Sequence, residues 1–510
     1  MFDGFAMIAQ AALELFTLTS ILHVTWATLL GIFIGSLPGL TATMGVALLT
    51  TLTYGLDQRT AILVLICMYV GAIYGGSRSA ILLNIPGTPA SAATALDGYP
   101  LAIQGRAQYA MTLATSGSAL GTFVGLVVLA FLAPVLAEFA LNFGSYEFFW
   151  LALFGIIVSG QLTAGGMPVK GYIAGILGLI VSTIGSEGIH SHVRFAFDIQ
   201  SLGGGIGLIP AMVGAFGFAE LITVMMNSRS VLSKEPEKKG LLPKMADLWR
   251  YKRTIFRSGI IGTLIGIIPG VGEDIGAWSS YAAAKRASKN PEDYGKGSQE
   301  GLIAAETGNS AVVPGALIPA ITLGIPGSAP AAVLIAALFI HGIRPGPMIM
   351  VEQPTFVFSV VVMLFMAMIA ITVYGLALTK LFVKVLSVPR ERLMPVVFVL
   401  CVIGPFALTQ RVFDIWVMIV FGIIGYVLRR MDYPMAPLVL GIILGNLLDK
   451  NMRRGLIISD GDLTPFLTRP ISATFMVLTV LTILLGFSSV RNFLGRTWIK
   501  LTAGFGGSTK

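Results

Sequence analysis

Long apolar runs separated by short polar stretches fill most of this chain. They lie near 24–56, 60–86, 107–141, 146–163, 169–186 and 206–226, then near 258–284, 302–326 and 328–345. Further runs follow near 355–386, 393–410, 412–428, 434–448 and 471–488. A helix needs about 20 apolar residues to cross a hydrocarbon core of ~30 Å, so the pattern predicts roughly ten to twelve membrane segments. The longest hydrophilic stretch, 227–257, falls near the middle of the chain. It divides the sequence into a first half, 1–226, and a second half, 258–510, which carries extra C-terminal spans.

The two halves say nearly the same thing. Residues 31–39 read GIFIGSLPG and residues 262–270 read GTLIGIIPG. Each is followed by a second break, NIPGTP at 84–89 and GIPGSA at 324–329. Proline removes a backbone donor and clashes with the preceding turn, and glycine opens unusual backbone angles. In lipid such breaks persist only where the freed backbone groups line a protein-enclosed site. Duplicated broken helices at membrane depth are the sequence mark of a secondary transporter. The pattern predicts an all-α polytopic transmembrane bundle with two internal repeats. Its Pro-Gly tips are Pro38-Gly39, Pro86, Pro269-Gly270 and Pro326. The Gly31/Gly35 and Gly262/Gly266 pairs suit close helix packing.

Composition agrees. The 510 residues are 55% hydrophobic and only 12% charged, against about 25% charged in soluble domains. The mean hydropathy is +0.84. The net charge of +9 does not point to nucleic acid, because Lys and Arg cluster between the apolar runs, as cytoplasmic loops do. The central stretch holds Arg229, Lys234, Lys238, Lys239, Lys244, Arg250, Lys252, Arg253 and Arg257 against Glu235, Glu237 and Asp247. Lys384, Arg390, Arg392, Arg429 and Arg430 mark further cytoplasmic turns. Cys67 and Cys401 lie in apolar runs as packing residues. His190 and His192 read as a loop and not as a metal site; His23 and His341 are isolated. The N-terminus lacks a basic leader and reads as an amphipathic or first membrane helix.

Charge also shapes the Pro269-Gly270 segment. Arg253 and Arg257 precede it, and Lys285, Arg286 and Lys289 follow it. With both flanks cytoplasmic, the segment enters the membrane and returns as a re-entrant hairpin. Its arms are too short to span alone. Residues 27–57 would form the matching hairpin. If five full spans separate the two, they enter from opposite faces and the repeat is inverted.

Candidate chemistry concentrates after these tips. Residues 69–100 carry Ser77, Arg78, Ser79, Asn84 and Thr88 around Pro86-Gly87. An ionised Arg at the bilayer centre costs about 2.5–3.5 kcal/mol on insertion scales, and its fork can hold a carboxylate with two hydrogen bonds. Together with Gly87 and a half-helix start, these residues describe an anion site. Gly327 and Ser328 would complete it. In the second half, Asn309, Thr322, Glu273 and Asp274 suit a coupling cation, sodium or a proton. Glu300 and Glu306 read as interfacial. No phosphate loop, HExxH or GxSxG motif is present, so neither ATP-driven transport nor an intramembrane enzyme is expected.

These motifs resemble the TctA family, the large membrane subunit of the tripartite tricarboxylate transporters. The matching pieces are GxxxGxxPGL at 31–40, YxGAIYGGSRSAILLNIPGTPASAATALDGYP at 69–100, IPGVGEDIGAWSSYAAAKRASKNPEDYGKGSQEG at 268–301, and ETGNSAVVPGALIPAITLGIPGS continuing to HGIRPGP at 341–347. Where the family shows an Asn-Asn pair, this chain has Gly308-Asn309. The resemblance implies a bacterial inner-membrane permease working with a small TctB-like membrane subunit and a periplasmic TctC-like solute-binding protein. It implies uptake of citrate or other carboxylates driven by an ion gradient, without a cofactor. A channel or exporter for organic anions is the alternative. The first half, holding Arg78, is expected to dominate anion binding, and the second half ion coupling.

Overall fold

The computed structural model describes residues 2–37, 40–164, 167–226, 245–378 and 390–487. The expected tip at Pro38-Gly39, Lys384 and the part of the basic stretch up to Lys244 lie outside the described residues. In chain order the helices are α1 (Phe2–Leu15), α2 (Leu18–Ser36), α3 (Ala42–Leu52), α4 (Gln58–Leu83), α5 (Ser91–Leu101), α6 (Ala107–Ala140), α7 (Ser145–Thr163) and α8 (Pro168–Ser182). Short helices α9 (Gln200–Gly203), α10 (Leu208–Met212), α11 (Ala219–Met226) and α12 (Met245–Arg250) precede α13 (Lys252–Ile267), α14 (Gly272–Ala287), α15 (Gln299–Thr322) and α16 (Ala329–Ile340). The remainder are α17 (Ile349–Glu352), α18 (Pro354–Ala377), α19 (Arg390–Thr409), α20 (Val412–Arg430), α21 (Met435–Ile458), α22 (Thr464–Thr468) and α23 (Pro470–Gly486). The fold is an all-α helical bundle. Among the described residues its strands are one antiparallel pair that sets Gly185 opposite Arg194.

Among the described residues, six helical stretches are long and apolar enough to cross a membrane, including α2, α4, the continuous α5–α6 stretch and α18. Six shorter apolar helices accompany them. The chain is therefore a multi-pass membrane protein. Two expected spans are shorter than a bilayer: the runs at 169–186 and 328–345 hold helices of 15 and 12 residues.

The described residues fall into two compact units, one within Met1–Asn142 and Ile206–Leu428, the other within Phe143–Gly205 and Arg429–Lys510. Both copies of the duplicated pattern lie in the first unit. Its core is built on α4 and α15, which are buried on nearly every face, from Ala61 to Ile81 and from Gly301 to Thr322. A helix apolar all round belongs in such an interior. Helix α2 packs on α4, and α13 packs on α15. Both contacts run through glycine. A Cβ on Gly31 would lie 2.6 Å from the Met68 carbonyl, and one on Gly266 would lie 2.6 Å from the Val312 carbonyl. The close-packing reading of the two GxxxG motifs describes these contacts.

In the second unit α21 packs on α7 and α8, and α23 packs on α7. Asp449 accepts from both terminal nitrogens of Arg194, at 3.2 and 2.9 Å, and from Arg453 at 3.1 Å. His190 lies 3.1 Å from Glu187, with its own side chain largely exposed.

Candidate functional site

The described Pro-Gly breaks at Pro86, Pro269 and Pro326 are each held by contacts within their own half. After α13, Gly270 (φ 69°) and Gly272 (φ 73°) take left-handed backbone that favours glycine. Their N–H groups donate to the carbonyls of Pro326 and Gly327, both at 3.1 Å. The Pro269-Gly270 tip is thus hydrogen-bonded to the Pro326 break. In the first half, the Gly87 N–H donates to Gly76 at 3.2 Å, and Gly87 sits against the Gly35 carbonyl. Gly327 sits in the same way against the Gly266 carbonyl and Ala316. Gly35 and Gly266 hold the same place in their GxxxGxxPG motifs.

The halves also meet each other. Helix α3 packs on α16, and α14 packs on α5. Tyr69 of α4 reaches across to the second break, where its hydroxyl donates to Glu273 and lies 2.6 Å from the Ser328 hydroxyl. All three side chains are buried. Ser328 additionally caps α16, accepting from the Ala331 N–H at 3.4 Å. Glu273 and Asp274 occupy the first turn of α14, where the helix dipole favours negative charge.

A second polar cluster centres on Glu306. Its Oε1 accepts from Ser77 at 2.6 Å and from Thr94, and its Oε2 accepts from Ser118 at 2.8 Å. Helices α4, α5 and α6 each supply one hydroxyl. The expectation that Glu306 is interfacial is corrected: its side chain is fully buried. A carboxylate tolerates that burial because hydroxyl donors replace water. Arg78 is also fully buried, but its fork faces α6. Nη1 donates to the Met111 carbonyl at 3.1 Å, Nη2 donates to Thr115 at 3.2 Å, and the guanidinium lies over the Tyr74 ring. Nε has no partner.

The other sequence candidates divide. Ser79 bonds back to the Gly76 carbonyl at 3.3 Å, and Thr322 bonds back to Ile318 at 2.7 Å. Asn84 is exposed and ends α4 in left-handed backbone. The Thr88 N–H is taken by Ser91 at 3.1 Å. Asn309 differs from all of these. It is fully buried, and neither its Oδ1 nor its Nδ2 has a partner. Thr307 and Ser310, its neighbours on α15, also carry unpartnered buried hydroxyls. Each such group costs about 1–3 kcal/mol if it stays unpaired, which makes α15 around Asn309 a candidate place for a ligand, an ion or water.

Sequence reasoning missed Tyr69, Thr94 and Ser118. Nothing local marks them; each gains its role from a partner at least 188 residues away.

The model of the tripartite tricarboxylate transporter TctA family matches residues 21–440. The chain is 35% identical over 480 residues to an uncharacterized 52.8 kDa protein in the TAR-I ttuC' 3' region of Agrobacterium vitis, covering 92% of this chain and 94% of that protein. It is 37% identical over 224 residues to an uncharacterized protein in the TAR-II ttuC' 3' region of the same organism, covering 44% of this chain and 93% of that one. No solved structure matches.

Proposed function

The chain belongs to the TctA family of tripartite tricarboxylate transporters, and from that membership we propose that it is the permease subunit of an ion-gradient-driven importer. It is a transporter component and its family is not one of enzymes. In this reading it lies in the bacterial inner membrane and receives citrate or a related carboxylate from a periplasmic solute-binding protein, beside a small membrane subunit. The carboxylate occupies the space between the Pro86 and Pro326 breaks, and the protein exposes it to each side in turn.

The observation that carries this reading is the buried Asn309 amide, whose oxygen and nitrogen both lack a partner. Asn309 stands as far before Gly327 as Tyr69 stands before Gly87. Tyr69 closes on the break of the opposite half. By the same register Asn309 is directed toward the first break, with its amide free to take the cargo or a sodium ion. The matching Gly35–Gly87 and Gly266–Gly327 contacts, taken with this register, support two internal repeats. Glu273, Asp274 and Ser328 supply oxygen ligands on the coupling side, and Glu306 adds a fixed carboxylate nearby on α15. Thr322 is spent on its own helix and leaves this set. Arg78 braces α4 against α6, and it reaches cargo only by leaving Met111 and Thr115.

The test is uptake of a radiolabelled di- and tricarboxylate panel into proteoliposomes holding both membrane subunits, with the binding protein added. Accumulation above the outside concentration, dependent on a sodium or proton gradient and on the binding protein, supports the proposal. Equilibration without accumulation identifies a channel instead.

A further inference from the structure

The open end of the α13–α14 hairpin carries a site that the transport reading does not use. One carboxylate ties the two arms together there. Glu300 accepts from Thr254 at 2.6 Å through Oε1 and from Ser288 at 2.9 Å through Oε2. Around this tie lies a cavity of about 940 Å³, within the range of roughly 300–1,000 Å³ common for small-molecule sites. Arg250, Arg253, Arg257, Lys289 and Lys296 all line it. The acids on its wall are Asp293 and Glu300, and Glu300 is already engaged by the two hydroxyls.

Five cations face two acids around this hollow, which leaves an excess of positive charge that favours an added anion. Arg257 is the sharpest case. Its Nε and Nη2 are shielded from water and have no partner. A guanidinium edge in that condition matches a carboxylate or phosphate oxygen pair. The remaining cations are exposed and can close on a second charged group of the same ligand.

We infer that this cavity is an oxyanion site for a multiply charged phosphate or carboxylate, separate from the Pro-Gly breaks, with the half-buried Arg257 as its anchor. The ligand source is a free anion or a phospholipid headgroup. Because α13 and α14 lead from this cavity to the Pro269-Gly270 tip, an anion here braces the base of the element that holds the second break.

Calorimetric titration of the purified full-length protein with inorganic pyrophosphate, in phosphatidylcholine nanodiscs at low salt, tests this. Wild type should bind. Arg257→Gln should weaken binding by about tenfold or more, and the exposed pair Lys289→Gln with Lys296→Gln should weaken it without altering the fold. Asn309→Ala, which changes the break region, should leave pyrophosphate affinity unchanged; this separates the site from the transport reading. A second arm adds phosphatidylglycerol to the nanodiscs. Competition with pyrophosphate assigns the site to lipid headgroups, and unchanged affinity assigns it to free anions. Absence of binding in wild type overturns the inference. So does affinity retained within about twofold in both Arg257→Gln and the double lysine variant.

Discussion

Asn309 sets a stability cost against a function. Its amide is fully buried and unpartnered, so an apolar residue of similar size removes a desolvation penalty of about 1–3 kcal/mol. Asn309→Leu is therefore expected to raise the melting temperature and to abolish ion-dependent uptake. A destabilised variant that still transports would show that the amide is structural. Glu306 presents the opposite case. Glu306→Ala strands the hydroxyls of Ser77, Thr94 and Ser118, so a loss of about 3 kcal/mol is expected in denaturant melts. Glu306→Gln, which keeps acceptor oxygen, should lose less. Equal stability of the two variants would count against the cluster. For Arg78, Arg78→Ala should eliminate uptake while the protein still inserts, because α4 loses its tie to Met111 and Thr115. Unchanged uptake kinetics would remove Arg78 from the mechanism.

The helical elements explain which residues the sequence could reveal. Proline and glycine act on their own backbone, so the breaks at Pro86, Pro269 and Pro326 were legible from local chemistry alone. The GxxxG pairs were legible for the same reason, since only a missing Cβ admits a neighbouring carbonyl at contact distance. Side-chain roles were not local. Tyr69 meets Glu273 and Ser328 across the junction of the halves, and periodicity along one helix does not disclose such a partner. Arg78 shows the converse: its charge in an apolar run suggested a ligand, yet the carbonyl of Met111 and the hydroxyl of Thr115 on α6 hold it. The hairpin yields its own prediction. Arms α13 and α14 have 16 residues each, or about 24 Å, short of the ~30 Å core. Cysteines at the exposed positions Arg253 and Lys289 should be labelled by an impermeant reagent from the same side. Labelling from opposite sides excludes re-entry. Gly266→Leu should prevent α13 from docking on α15 and sharply reduce folded yield. Gly55→Ala, with no atom within 4 Å of the new Cβ, should be neutral.

At the scale of the whole molecule, the first compact unit holds parts of both sequence halves, and these pack reciprocally, α3 on α16 and α14 on α5. In the proposed mechanism this junction is where the two halves would move to expose the carboxylate to each side in turn. The most direct test of that claim is carboxylate accumulation in proteoliposomes containing both membrane subunits and the added binding protein, measured for wild type and Asn309→Leu under an imposed sodium or proton gradient. Wild type should concentrate the carboxylate above the outside level and lose this when the gradient is collapsed, while Asn309→Leu should not accumulate it. Gradient-independent equilibration by wild type, or undiminished accumulation by Asn309→Leu, would contradict the account.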